Sequence, residues 1–347
     1  MDEGLVVGGV RAERGRRKIV KLPVTTDLNG APVEIVVHVV SGKRAGPVLT
    51  LLSMLHGNEW MSVLILRELL ESLDLSELRG TILAVPVANQ VAFATGTRCI
   101  QDDSDGADLN RAFGGEFVWM ADQLANVISE ELLKKSDYLI DYHVSDWGST
   151  MADVAFGDDY SDPAMVQKCA EMAKAFGFPS IHVCHVCSGF PGPRSSLGWA
   201  GEVLGVPGIV AEIGGLGFGA DVEKRWIKQN VDGTKSLMRY LGMLDGQPNY
   251  APRYLVTRNR WRVSPSKAGY LEPFAGFEKQ FTEVAKGQAL ARVVSPYTFE
   301  EIETLRSPGR GVIFYVCRSY MVRPGGWAFG VTNLEDGKSG WFDKDGF

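Results

Sequence analysis

Four short stretches hold residue types suited to metal-assisted hydrolysis. His56-Gly-Asn-Glu59 follows the apolar run PVLTLLSML (47–55), and His143 ends DYLIDYH (137–143). Glu212 lies at the end of GIVAEI (208–213), and GTRCIQDDSDGADLNRAFGG (96–115) contains Arg98, Asp108, Asn110 and Arg111. A lone His or Glu at a strand end is ordinarily a hydrogen-bonded structural residue. Three such groups, each closing a separate apolar strand, are instead expected to converge on one edge of a sheet, where α/β proteins build their sites.

Through the Gly57-Asn58 turn, His56 and Glu59 can face one point, with His143 as a third ligand. Two imidazoles and one carboxylate leave a fourth tetrahedral position for water, the arrangement of a catalytic zinc site rather than a structural one. In the H-E-x-x-H pattern the Glu is the base. Here Glu59 serves as a ligand, so a separate base is required and Glu212 is the candidate. Arg111 and Asn110 suit planar recognition of a substrate carboxylate. Arg98 suits a developing oxyanion, and Asp108 could accept the second N–H of His56 from behind. The plain alternative for this loop is a solvated turn capped by Asp108.

The elements that must position these residues are legible as alternating strand and helix patterns. KIVKLPVTTDLNGAPVEIVVHVV (18–40) reads as an antiparallel hairpin about DLNG. Strands are expected at 47–55, 80–89, 137–143, 180–187 and 208–213, and helices at 60–73, 117–135, 162–177, 195–205 and 222–242. Asp162, Pro163 and Gly177 supply an N-cap, a first-turn proline and a C-terminal stop. This pattern predicts an α/β fold with a largely parallel or mixed central sheet covered by helices. DGQPNYAPR (245–253) reads as a linker, dividing a catalytic domain at 1–250 from a small all-β domain at 251–347.

Taken in order, His56-Gly-Asn-Glu59, Arg98, Asp108-Leu-Asn110-Arg111, Asp141-Tyr-His143 and Ala-Glu212-Ile-Gly-Gly resemble the succinylglutamate desuccinylase/aspartoacylase family, a branch of the zinc carboxypeptidase-like fold. The likeness runs from about residue 18 to 245, and the trailing β module is similar to that family's C-terminal domain. It implies hydrolysis of the amide bond of an N-acyl amino acid at one zinc ion per chain. His56, Glu59 and His143 would be the ligands, and Glu212 would be base and then proton donor. Arg98 would polarise the carbonyl, with Asn110 and Arg111 on the amino acid's carboxylate. Two departures stand out: Asn89-Gln90 where relatives often show Asn-Pro, and Phe113-Gly114-Gly115 where they often show Phe-Pro-Gly.

Composition narrows the remaining choices. The chain has 347 residues, 45% of them hydrophobic, and a formal net charge of -6, which favours neither nucleic acid nor an anionic membrane as partner. Five cysteines form no disulfide framework, and the N-terminus lacks a secretory pattern, so a cytoplasmic location is expected. The small-molecule substrate is the expected partner; oligomeric state, a homo-oligomer included, is left open. A carboxypeptidase acting on peptides would use the same zinc chemistry. A non-catalytic metal- or ligand-binding protein, or a lipoyl-type carrier at Lys286, is the reading from another class. His182, Cys184, His185 and Cys187 tempt a second zinc site, but alternation along one strand predicts buried structural residues. The acidic run Asp102, Asp103 and Asp105 could select a substrate with an extra amine, or be solvated.

Overall fold

Alternation about the DLNG turn produces a hairpin, and most of the apolar runs after it become strands backed by helices. The computed structural model describes residues 5–346 other than 28, 102–106, 117, 148, 275 and 319. Two short strands, β1 (Val6–Val7) and β2 (Val10–Arg11), precede the hairpin of β3 (Arg17–Thr26) and β4 (Pro32–Ser41). Then come β5 (Arg44–Ser53), α1 (Met61–Glu71), β6 (Arg79–Val85), α2 (Gln90–Thr95) and α3 (Met120–Glu131). β7 (Tyr138–Trp147), β8 (Ser149–Gly157), α4 (Pro163–Phe176), β9 (Ser180–Cys184) and a short α5 (Ser196–Gly198) follow. β10 (Gly208–Leu216) and α6 (Ala220–Tyr240) complete this part. The expected caps of α4 are in place: the Asp162 side chain accepts the Ala164 N–H, and Gly177 ends the helix at φ 84°.

The sheet is mixed. β5 pairs in parallel with β6 and β7, and β7 in parallel with β10. The β3–β4 hairpin adds antiparallel to β6, and β8 adds antiparallel to β10. The parallel centre explains why β5 and β7 read as nearly unbroken apolar runs.

Three local features differ from expectation. β8 was not foreseen, because Ser149, Thr150 and Asp153 interrupt its apolar pattern. The run 180–187 leaves the sheet at Cys184, so alternation does not govern His185 and Cys187. His185 is exposed and meets Asp158 at 3.0 Å, which corrects the expectation that it is buried. The strand expected to reach 89 stops at Val85, and Asn89 caps α2, its side chain accepting the Ala92 N–H at 3.1 Å. Gln90 therefore occupies the first helical position, where proline is also well tolerated, so this departure leaves the local structure intact.

The remaining strands are β11 (Arg253–Thr257), β12 (Arg260–Val263), β13 (Gly269–Pro273), β14 (Glu283–Val284), β15 (Ala289–Val294) and β16 (Glu301–Arg306). β17 (Gly311–Cys317), β18 (Tyr320–Val322), β19 (Phe329–Asn333) and β20 (Gly340–Asp343) end the chain. β17 pairs with β8 and carries β19, which carries β12; β11 lies parallel to β9. β13, β15, β16 and β18 form a separate antiparallel sheet, and Leu271, Leu290 and Val293 bury its apolar side. Lys286 is exposed in the turn joining β14 to β15, which pair with different strands rather than with each other. It is therefore not the tip of a paired hairpin. The acidic run at Asp102, Asp103 and Asp105 lies outside the described residues. Among those described, no helix is long and apolar enough to cross a membrane.

Candidate metal and catalytic site

The ends of β5, β7 and β10 meet where the parallel pairing places them. The turn after β5 supplies His56 and Glu59, β7 supplies His143, and the register sets Glu212 beside His143. Gly57 is required in this turn: a Cβ there would collide with the backbone of Ala92 and Phe93 in α2. Asn89 fixes the same turn from below, its side chain donating to Leu55 O at 3.2 Å and its backbone N–H to Met54 O at 3.0 Å. The position of the ligand pair is thus set by backbone contacts.

His56, Glu59 and His143 are buried, and one ligand atom from each lies within 4.8 Å of the others. His56 Nδ1 is 2.8 Å from Glu59 Oε1, His143 Nδ1 is 3.0 Å from Glu59 Oε2, and the two Nδ1 atoms are 3.1 Å apart. Each imidazole has a carboxylate on its far nitrogen: Asp108 Oδ1 is 3.0 Å from His56 Nε2, and Asp141 Oδ2 is 3.1 Å from His143 Nε2. Such partners hold the proton on Nε2 and turn the Nδ1 lone pairs toward the common point. This donor set, two imidazole nitrogens and a carboxylate with the outer nitrogens already satisfied, fits a divalent transition-metal ion. Burial works to raise the Glu59 carboxyl, but His56 and His143 outweigh it and hold it well below the usual range. Glu59 also accepts the Val144 N–H at 3.0 Å.

Arg98 donates from Nη1 to Glu59 Oε1 at 3.0 Å, and its Nη2 is 3.9 Å from Asp108 Oδ2. Glu212 lines the same cavity, and burial pushes its carboxyl up to about 8, with Asp153 and Glu59 adding to the rise while His143 and Arg98 oppose it. The Asn110 Oδ1 accepts the Ser196 N–H at 2.8 Å, and its Nδ2 is 3.3 Å from His143 Nε2. The Arg111 guanidinium lies 4.7 Å from the Phe190 ring centroid and lines a small pocket with Asn110, Arg98 and both histidines. The second departure, Gly114-Gly115, lets the chain pack against Trp199 and the Asp122–Arg194 ion pair, where any Cβ would clash.

Several residues of the site were given no role there from sequence. Asp141 stands two positions before His143 on the same face of β7, a signal that period-2 counting could have used. Ser196 donates from its hydroxyl to Asp141 Oδ2 and from its backbone to Asn110, so it ties the two together. Asp153 on β8 is the cross-strand neighbour of Glu212. The main cavity, about 630 Å³, is also lined by His182 and Cys184, not expected there, and by Arg260, Arg262, Tyr315 and Trp327 from the C-terminal strands. His182, Cys184, His185 and Cys187 do not form a metal-binding group among the described residues.

A family model described as the succinylglutamate desuccinylase/aspartoacylase catalytic domain matches residues 45–241, more than half of the chain. Among similar solved structures, a succinylglutamate desuccinylase from Silicibacter sp. TM1040 has 22% identity and a TM-score of 0.79, over 96% of this chain and 100% of that one. A succinylglutamate desuccinylase/aspartoacylase from Rhodobacter sphaeroides has 21% identity and a TM-score of 0.78, over 93% of this chain and 97% of that one. The product-bound ectoine utilization protein EutE (DoeB) from Ruegeria pomeroyi has 22% identity and a TM-score of 0.78, over 93% and 98%. At these identities the likeness carries the fold alone. No curated protein matches the sequence significantly.

Proposed function

The chain belongs to the succinylglutamate desuccinylase/aspartoacylase family, and on that premise we propose that it hydrolyses the amide bond of a small N-acyl amino acid. The observation that carries this reading is the convergence of His56, Glu59 and His143, each imidazole backed by a carboxylate, beside a half-buried Glu212. In this reading the three residues hold one zinc ion, which when bound supplies Lewis acidity at neutral pH.

The chain's own residues do the rest. Glu212 takes a proton from the attacking water and returns it to the leaving amine, so one carboxyl serves as base and then acid. A carboxyl raised toward neutral pH can both take up and release a proton there, which suits a group that serves in both steps. Arg98, already aimed at the ligand cluster, faces the oxygen that gains charge. Arg111 receives the amino acid's carboxylate. With the His143 Nε2 proton given to Asp141, the Asn110 Nδ2 has no acceptor in that ring and can donate to the same carboxylate. Residues 1–250 form the catalytic unit in this proposal, and 251–347 shape the cleft through Arg260, Arg262, Tyr315 and Trp327. All five cysteines are free thiols, in keeping with a reducing cytoplasm.

The test is metal content together with turnover on N-acetyl, N-formyl and N-succinyl amino acids and on peptides. Glu212→Ala should keep the metal and lose turnover, whereas His143→Ala should lose both. Full activity in both variants sinks the assignment. Metal with activity on peptides alone would identify a carboxypeptidase instead.

A further inference from the structure

The residues around the reacting centre divide between two adjoining cavities. Arg98, His143 and Glu212 line both. Asn110 and Arg111 line only the smaller of the two, which measures about 100 Å³. With the scissile bond at Glu212 and the amino acid's carboxylate at Arg111, the amino acid occupies the smaller cavity and the acyl group the larger. The lining of the smaller cavity therefore selects the amino acid's side chain.

Beyond the groups that the chemistry uses, that lining is largely aliphatic. Val210 stands two positions before Glu212 on the same face of β10, and its cross-strand partner on β8 is Ala155. Val186 follows β9, Leu197 lies in α5, and Pro191 lies in the segment between them. Val186 and Leu197 are buried, yet both border the cavity. Among the described residues that line it, the only Arg or Lys side chains are Arg98 and Arg111 and the only carboxylate is Glu212. All three already have tasks in the reaction. A charged side chain placed here would give up water without a counter-charge of its own, whereas an apolar one gains by leaving water. Size narrows the choice further. An apolar cavity of roughly 150 Å³ takes a benzene ring, so this smaller one suits an aliphatic or thioether side chain of about four heavy atoms. The family is named for acidic amino acids, and an acidic side chain would meet Glu212 here with no cation left to it.

We propose that Val186, Leu197, Val210 and Ala155 form a pocket for an apolar side chain, so that the preferred substrates are N-acyl derivatives of medium-sized aliphatic amino acids such as leucine and methionine. This rests on the deacylase reading above. The experiment measures kcat/KM on the metal-loaded protein for leucine, methionine, phenylalanine, aspartate, glutamate and lysine, each as its N-acetyl and its N-succinyl derivative. With whichever acyl group turns over faster, leucine or methionine should exceed aspartate, glutamate and lysine by roughly 10- to 100-fold. Leu197→Ala should lower the value for leucine and raise that for phenylalanine, reversing their order. A merely structural loss would lower both alike, and that result, or a wild type that prefers aspartate or glutamate, would overturn the pocket. Calorimetry with free leucine and free aspartate separates this idea from its premise. If none of the derivatives is hydrolysed, the deacylase reading falls, and leucine binding tighter than aspartate in a way that L197A weakens still supports the pocket. Equal binding of the two, or no binding of leucine, overturns it.

Discussion

The metal-side wall of the cavity and the wall facing it both present a buried histidine with an aspartate behind it. His143 Nε2 lies 3.1 Å from Asp141, whereas His182 Nδ1 lies 3.7 Å from Asp153. Burial pulls both rings toward neutrality. At His143, Asp141 and Glu59 outweigh it and raise the imidazole well above its ordinary value, while at His182 Arg260 adds to burial and lowers it. The sign of the nearest charge, rather than burial, separates a ring that gathers positive charge from one that stays neutral. A cluster rich in carboxylates favours a cation, whereas Arg260 helps to keep the facing ring uncharged.

That contrast can be broken at several strengths. The largest effect is expected at the proposed proton carrier: Glu212→Gln should lower kcat by about 10²- to 10⁴-fold with metal content unchanged. Asp141→Ala should weaken metal binding by roughly 10- to 100-fold in a chelator competition, and Ser196→Ala should shift it in the same direction by less. His182→Asn should leave metal affinity alone; an equal loss there would erase the distinction between the walls. Gly57→Ala should cost about 1–3 kcal/mol in denaturant unfolding, because its Cβ meets α2 backbone that cannot step aside. The smallest effect is a pH dependence. His182 binds its proton more weakly in the folded chain than at its ordinary value of 6.5. As pH falls below that value the unfolded chain takes up a proton that the folded one refuses, so stability declines with acid. His182→Asn should flatten this slope in unfolding measured from pH 7.5 to 5.5.

The metal-side wall was largely legible in the sequence because each of its groups closes or follows a strand. His56, His143 and Glu212 follow apolar runs long enough to announce themselves, and parallel pairing brings such ends to one edge. The facing wall was not. β8 hides its strand character behind Asp153 and the glycines that flank it, and with β8 went the neighbour of Glu212. His182 and Cys184 read as core residues, since a buried strand residue looks the same whether it faces packed side chains or a cavity. Arg260 and Arg262 sit some fifty residues past Glu212 in a β segment, and it is the β17–β8 and β11–β9 pairings that carry their strand into place.

β8 also governs how the two walls can move. By its start it pairs with β17, by its end with β9, and along its length with β10, which bears Glu212. The strand that bears Glu212 and the strands of the opposite wall are therefore rungs of one continuous hydrogen-bonded ladder. Parting them like the halves of a clam would break that ladder at its centre. Substrate and product must instead pass through the mouth of a stiff cup, past the exposed ring of Phe190 at its rim.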